Sequence, residues 1–115
     1  KVLVNSAVAM TGGQAPDAEV TVPRIAAQVA AEGVARIAIV ADDPERHRGD
    51  ALLPAFATFH HRRELDSVQR ELRAVPGVSV LLYDQQCATE RRRMRKRFTA
   101  AAAVKRAVIN PRVCE

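Results

Sequence analysis

The sequence has no tryptophan, only four aromatic side chains, two cysteines and five glycines. Two cysteines are too few for a disulfide scaffold, so we expect a chain that works in the reducing cytoplasm. No apolar run approaches the roughly 20 residues that a membrane-spanning helix needs. The opening residues also lack the basic and apolar regions of a secretory signal. These absences exclude a disulfide-rich secreted domain and predict no membrane partner.

The apolar content is sufficient for one modest core. Hydrophobic residues make up 48% of the 115 residues; 21 of them are alanine, and 32 are the larger Val, Ile, Leu, Met, Phe and Tyr. This length corresponds to one domain or less, and this hydrophobicity argues against intrinsic disorder. The chain begins at Lys1 inside an apolar run and without Met, so we expect a segment of a longer protein.

The net charge of +5 is unevenly distributed along the chain. Residues 88–115 contain nine basic and two acidic side chains, a balance of +7. Residues 1–87 contain nine basic and eleven acidic side chains, a balance of −2. An anionic partner is therefore expected at the C-terminal part of the chain rather than at its body.

Hydrophobic periodicity predicts alternating strands and helices. Strands are predicted at Val2–Val4, Arg36–Ala41, Phe56–His60, Val78–Tyr83 and Ala107–Ile109. Helices are predicted from an N-cap at Thr21 to Gly33, over Leu65–Val75 and over Ala88–Phe98. The stretch from Asp42 to Pro54 is predicted to be an irregular loop. This alternation indicates an α/β fold with three layers, in which helices flank a mostly parallel, Rossmann-like sheet.

A loop of small residues follows the first predicted strand. Asn5 stands directly after that strand, and Met10, Thr11 and the pair Gly12-Gly13 follow within ten residues. Ligands bind at the carboxyl ends of strands in open α/β sheets, and a glycine pair allows the backbone to approach a diphosphate closely. Because Asn and Gly are also ordinary loop residues, the pattern alone leaves a plain turn as the alternative.

Three separated blocks of the sequence resemble one enzyme family. They are residues 5–14 (NSAVAMTGGQ), residues 83–90 (YDQQCATE) with the basic run behind them, and residues 108–115 (VINPRVCE). In this order they resemble the catalytic chain of the indolepyruvate ferredoxin oxidoreductase family of thiamine-diphosphate-dependent 2-oxoacid:ferredoxin oxidoreductases. The first block is similar to the closing half of the family's thiamine-diphosphate motif. In the family, the last block leads into a ferredoxin-like cysteine cluster.

The resemblance implies an oxidoreductase that oxidatively decarboxylates an aryl or related 2-oxoacid with CoA and passes electrons to ferredoxin through iron–sulfur clusters. It implies cofactor contacts from Asn5, Ala7, Met10, Thr11 and Gly12. It also implies two Mg²⁺ ligands, the Asn5 side chain and the Ala7 backbone carbonyl, and oxygen ligands of this kind suit Mg²⁺. The family's Gly-Asp-Gly element, which supplies a carboxylate ligand, does not occur in these 115 residues. We therefore expect the isolated chain to be inactive and to contain no catalytic residue.

The same resemblance implies a division of the chain into three parts. Residues 1–20 are the C-terminal remnant of the cofactor motif, residues 21–86 an α/β module, and residues 87–115 a basic helix and linker toward a ferredoxin-like domain. Cys114 resembles the first ligand of that domain's cluster. Because a [4Fe–4S] cluster normally takes four thiolates, Cys114 would act only in the longer protein. Neighbouring domains or subunits of that enzyme are the expected partners.

The basic run Arg91–Arg97 holds six cations in seven residues. Such a run can neutralise phosphates, so the alternative function is a small α/β module that binds nucleic acid or another anion, such as the phosphates of CoA. No aromatic residues interleave the run to stack bases, since Phe98 stands alone, and this disfavours nucleic acid as the partner. A solvated helix face and a contact with an acidic neighbouring domain are the other interpretations.

The remaining polar residues have ordinary structural interpretations. Adjacent His60 and His61 point to opposite faces of a strand, so they make a poor metal pair. His47 is expected at the surface, and Asp42-Asp43 is expected to cap the following turn, with a ligand contact as the alternative. Cys87 is expected to be a partly buried thiol, because the sequence places no general base near it.

Overall fold

A computed structural model of the chain describes residues 1–5 and 20–97. Within this part, four strands form one sheet: β1 (Val2–Val4), β2 (Arg36–Ala41), β3 (Ala57–His61) and β4 (Ser79–Asp84). The helices of the same part are α1 (Val22–Ala31), α2 (Leu65–Ala74) and α3 (Ala88–Arg97). Short 3₁₀ turns precede β3 and α2, at Pro44–His47 and Arg62–Glu64.

The sheet is parallel at every pairing and has the strand order β1-β4-β2-β3. β2 lies inside the sheet, where Ile39 stands between Leu82 of β4 and Phe59 of β3. Five of the six residues of β2 are buried. A strand covered on both faces needs apolar residues at every position, which is why the continuous run of β2 predicts it so well.

Helices α1 and α2 pack on opposite faces of the sheet. The core under α1 comprises Val4, Val22, Ala26, Ile37, Ile39 and Leu82. The core under α2 comprises Ala38, Val40, Val68, Leu72 and Leu81. Successive residues of β2 therefore face α1 and α2 in turn, as the alternation of side chains along a strand requires. The predicted three-layer α/β arrangement is confirmed.

The limits of α1 follow from its capping residues. The hydroxyl of Thr21 accepts a hydrogen bond from the backbone N–H of Arg24 at 3.5 Å, and Pro23 lies in the first turn. Gly33, with φ of +82°, follows the last turn and donates its N–H to the carbonyl of Ala30 at 3.0 Å. Both predicted signals, the Thr N-cap and the Gly stop, are confirmed.

Two strands begin one residue later than predicted. The sequence predicts strands from Phe56 and from Val78, but β3 begins at Ala57 and β4 at Ser79. Both apolar residues directly precede their strands, and Val78 is 65% exposed while Phe56 is 45% exposed. Hydrophobic periodicity does not distinguish an apolar residue just before a strand from the first residue of that strand.

One further element end departs from the prediction. α2 ends at Ala74, and Val75 has an extended backbone because the residue before a proline is disfavoured in a helix. α3 is present over Ala88–Arg97, whereas Phe98 and the predicted strand Ala107–Ile109 lie outside the described residues. The division of the chain at residues 20/21 and 86/87 stays a prediction.

Candidate functional site

The parallel strands bring several polar residues to one edge of the sheet, which we name the carboxyl edge. Asn5 follows β1, Asp42 follows β2 and Asp84 ends β4. The backbone N–H of Gln85 donates to the carbonyl of Val4 at 3.0 Å, which places Gln85 next to Asn5. Open α/β sheets bind their ligands at this edge.

A cleft of about 230 Å³ opens at the carboxyl edge. It is lined by Asp42, Asp43, Arg46, Asp84, Gln85, Gln86 and Arg91. Three carboxylates thus stand against two guanidinium groups, and two amides add both donors and acceptors. The cleft can therefore hold a small polar ligand that offers groups of both kinds.

Asp84 attaches the β2–β3 connection to the end of β4. Its Oδ2 lies 2.6 Å from Nε2 of His47, and these two side chains are only 10% and 11% exposed. The same oxygen accepts a hydrogen bond from Nη2 of Arg46. We name these three residues the Asp84 clamp. A carboxylate buried to this degree requires such partners, because it has lost most of its hydration.

The proton arrangement in the Asp84 clamp follows from the donors available. Nε of Arg46 also points at Nε2 of His47, at 3.1 Å. One ring nitrogen cannot accept from Arg46 and donate to Asp84 at the same time. The shorter contact is the one with the carboxylate, so we assign the proton to Nε2 of His47, which then donates to Asp84.

A second group of contacts joins the ends of three strands. Asp42 accepts from Nε of Arg62 at 3.1 Å and from the side-chain amide of Gln85 at 3.3 Å. The carbonyl oxygen of that amide accepts from the hydroxyl of Tyr83 at 2.7 Å. Because the Asp42 side chain is 54% exposed, these contacts contribute little stability. They link the Gln85 amide to Asp42 at the end of β2 and to Tyr83 of β4.

The residues implied by the family resemblance fall mostly outside the described residues. Asn5 is half-buried at the carboxyl edge. The others, which are Ala7, Met10, Thr11, Gly12 and Cys114, lie outside residues 1–5 and 20–97. Within those ranges, no group of three or more His, Cys, Asp or Glu side chains is placed to hold a metal ion. The magnesium site stays a prediction.

Two expectations about the β2–β3 connection are wrong. The sequence predicts His47 at the surface, but its side chain is only 11% exposed in the Asp84 clamp. Asp43 stands at the cap position of the 3₁₀ turn without a side-chain capping bond, and Asp42 pairs with Arg62 instead. One sequence signal points to the Asp84 clamp. Asp84 ends a strand whose first five residues include only one polar residue, Ser79. A carboxylate at the end of such an apolar strand is partly buried and needs a hydrogen-bonding partner.

The adjacent histidines are satisfied locally, as expected. Nε2 of His60 lies 2.9 Å from the hydroxyl of Thr58. Nδ1 of His61 accepts from the backbone N–H of Arg63 at 3.2 Å, while the N–H of His61 donates to Glu64 at 2.8 Å. This reciprocal pair is a capping box that opens the 3₁₀ turn before α2.

The basic run begins at the carboxyl edge. Arg91, Arg92 and Arg93 are exposed on α3, and Arg91 lines the cleft. The carbonyl of Cys87 accepts from the backbone N–H of Arg91 at 2.9 Å, and Cys87 itself is half-buried, as expected. The first turn of α3 therefore adds positive charge to the cleft.

None of the helices within residues 20–97 has the length and apolar character needed to cross a membrane. Comparisons with family models, curated proteins and solved structures find no match. The interpretation of the carboxyl edge therefore depends on its geometry and on the three sequence blocks described above.

Proposed function

We propose that this chain contributes one half of the thiamine diphosphate and Mg²⁺ site of a cytoplasmic 2-oxoacid:ferredoxin oxidoreductase of the indolepyruvate type. One observation carries the proposal: Asn5 stands at the carboxyl end of a parallel strand, beside Gln85 of the polar cleft. This is the position at which α/β sheets bind the phosphates of a cofactor.

The chemistry of Asn5 suits the proposed ion. Its amide oxygen is a hard donor of the class that Mg²⁺ prefers. Mg²⁺ uses few protein ligands and shares the oxygens of a bound phosphate, so one side-chain amide and the Ala7 carbonyl make a sensible half-site. The remaining carboxylate would come from a Gly-Asp-Gly element, which these 115 residues do not contain.

The residues of this chain bind and orient rather than react. Thiamine diphosphate, when bound, supplies the nucleophilic carbon and the electron sink for decarboxylation of a 2-oxoacid. Asn5 would hold the ion, and Arg91 in the cleft would offset part of the negative charge of the reactants or of CoA. Ferredoxin reduction and a [4Fe–4S] cluster ligated by Cys114 belong to the longer enzyme, and the chain alone would be inactive.

The proposal is tested by titrating thiamine diphosphate and Mg²⁺ into the longer enzyme with Asn5→Ala. We expect the Mg²⁺-dependent affinity to fall roughly 10- to 100-fold, since one charge-assisted contact is lost. Asn5→Asp keeps an oxygen ligand and should retain most of the affinity, and Gln28→Ala on the exposed side of α1 is the control. Unchanged affinity in Asn5→Ala, or turnover of an oxoacid by the 115-residue chain alone, would contradict the proposal.

The alternative is an α/β module that binds nucleic acid or another anion through the basic run. The exposure of Arg91, Arg92 and Arg93 favours it. It predicts tight binding of a labelled oligonucleotide, with a steep decrease in affinity as salt rises. Fluorescence anisotropy across a salt series, with Arg91, Arg92 and Arg93 changed to Glu, separates the two functions.

A further inference from the structure

A groove of about 510 Å³ lies on the α2 face of the sheet, away from the carboxyl edge. Lys1 and Ser79, which stand at the amino ends of β1 and β4, line one end of it. Leu72 of α2 and Leu81 of β4 form its apolar floor and are 9% and 4% exposed. The groove is thus an apolar depression between a helix and a sheet, separate from the polar cleft.

The apolar surface continues from the groove onto β1. α2 packs against β4, β2 and β3. In the sheet register Leu3 stands opposite Tyr83, which lies on the same face as Leu81. Leu3 is 73% exposed, the highest exposure among the large apolar side chains of the described residues. The β1 side of this face therefore presents an apolar side chain next to the groove.

The rim of the groove is positively charged. Lys1, Arg70 and Arg73 line it together with a single carboxylate, Asp66, so the lining balance is +2. Asp66 and Arg70 form an ion pair at 2.9 Å, with both side chains 79% exposed. Because both side chains of this pair are exposed, the pair is weak, and Arg70 as well as Arg73 can contact an acidic ligand. The positive rim beside the apolar floor therefore complements an acidic amphipathic segment.

We propose that this groove binds an acidic amphipathic helix of a partner protein. Such a helix would place its apolar face on the exposed Leu3, which adjoins the groove, and over the nearly buried floor of Leu72 and Leu81. Its carboxylates would contact Arg70 and Arg73. Residues 88–115 of this chain carry a charge of +7, so the positive rim would repel them. The same rim on a second copy of the chain would be repelled as well. A nucleic acid suits the charge but not the leucine floor, which offers no aromatic side chain for base stacking.

The test uses the whole chain and synthetic peptides of about 18 residues, or five helical turns. The first peptide repeats Leu at helical amphipathic spacing with Glu elsewhere, the second has Lys in place of Glu, and the third has Ser in place of Leu. We expect binding of the first peptide by fluorescence anisotropy, and affinities at least about ten-fold weaker for the others. Methyl NMR shifts should move at Leu3, Leu72 and Leu81 and not at Leu52, an exposed leucine in the β2–β3 connection.

Matched charge reversals locate the site. Arg70→Glu combined with Arg73→Glu should weaken the acidic peptide about ten-fold, because two rim charges change sign. Arg24→Glu reverses one charge on α1, on the opposite face of the sheet, and should leave the affinity within about two-fold. Leu3→Ser removes the apolar contact without touching the charges, and circular dichroism checks that each variant is folded.

Several results would overturn the proposal. They are equal binding of the Lys peptide, unchanged binding in the Arg70 and Arg73 variant, and shifts centred on Leu52. Tighter binding of a single-stranded oligonucleotide that moves the same methyl groups would assign the groove to nucleic acid. Concentration-dependent shifts of Leu3 without peptide would assign it to a second copy of the chain.

Discussion

Replacing Asp84 with alanine removes the carboxylate to which His47 and Arg46 are bonded at the end of β4. A hydrogen bond to a charged group contributes about 1.5–3 kcal/mol, and the His47 contact is about nine-tenths buried on both sides. Arg46 is 54% exposed, so screening by solvent limits its contribution to about 0.5 kcal/mol. We expect the free energy of unfolding to fall by about 2 kcal/mol, which lowers Tm by about 8 °C for a chain of this size.

A double-mutant cycle isolates the contact between the two side chains. Urea unfolding followed by circular dichroism is measured for Asp84→Ala, for His47→Ala and for the double variant. The interaction energy should be about 1.5 kcal/mol, because residues in direct contact do not contribute additively. Asp66→Ala is the matched control, since the Asp66–Arg70 pair is 79% exposed on both sides. Loss of the Asp66–Arg70 pair should lower the free energy of unfolding by only about 0.5 kcal/mol.

Two results would refute this reasoning about the Asp84 clamp. An interaction energy below about 0.5 kcal/mol would show that the buried contact is no stronger than an exposed pair. An Asp66→Ala variant as unstable as Asp84→Ala would show that burial does not decide the strength of these ion pairs.

Two further stability predictions concern the core and a turn. The Leu82 side chain is 0% exposed, and Leu82→Ala should lower the free energy of unfolding, measured in urea, by about 2–5 kcal/mol. The Leu52 side chain is 53% exposed, and Leu52→Ala should lower it by less than about 0.5 kcal/mol. Gly77→Ala should lower the free energy of unfolding by about 1–2 kcal/mol, because φ at this residue is +91°. An added Cβ would lie 3.7 Å from the Cβ of Ala35, an ordinary contact distance, so the penalty comes from the backbone conformation. Gly77→Asn should be less destabilising by the same measurement, since Asn tolerates this backbone region.

The sequence predicts the elements of this fold well because the signals are local. The continuous apolar run of β2, the cap at Thr21 and the stop at Gly33 each depend on a few neighbouring residues. The errors at Val78 and Phe56 are also local, since an apolar residue just before a strand resembles the first residue of that strand. Each shifts a strand by one residue without changing the order of elements.

The sequence does not predict the Asp84 clamp, for a different physical reason. His47 and Asp84 are 37 residues apart, and their contact exists only because β4 lies beside β2 in the sheet. Periodicity does not report the order of strands, so it could not bring a loop histidine to the end of β4. The position of Asn5 at the carboxyl edge was predictable, because every parallel strand ends at the same edge.

The pairing of β1 determines when the carboxyl edge can form. Within the described sheet β1 pairs with β4, and Val2 lies opposite Leu82, so 80 residues separate the partners. At about 5–20 residues per second, a ribosome takes roughly 4–16 seconds to make that stretch. β2, β3 and β4 are close in sequence and have shorter loops to close, which favours their assembly first. We therefore expect Asn5 to reach its place late in folding, after the rest of the sheet has formed.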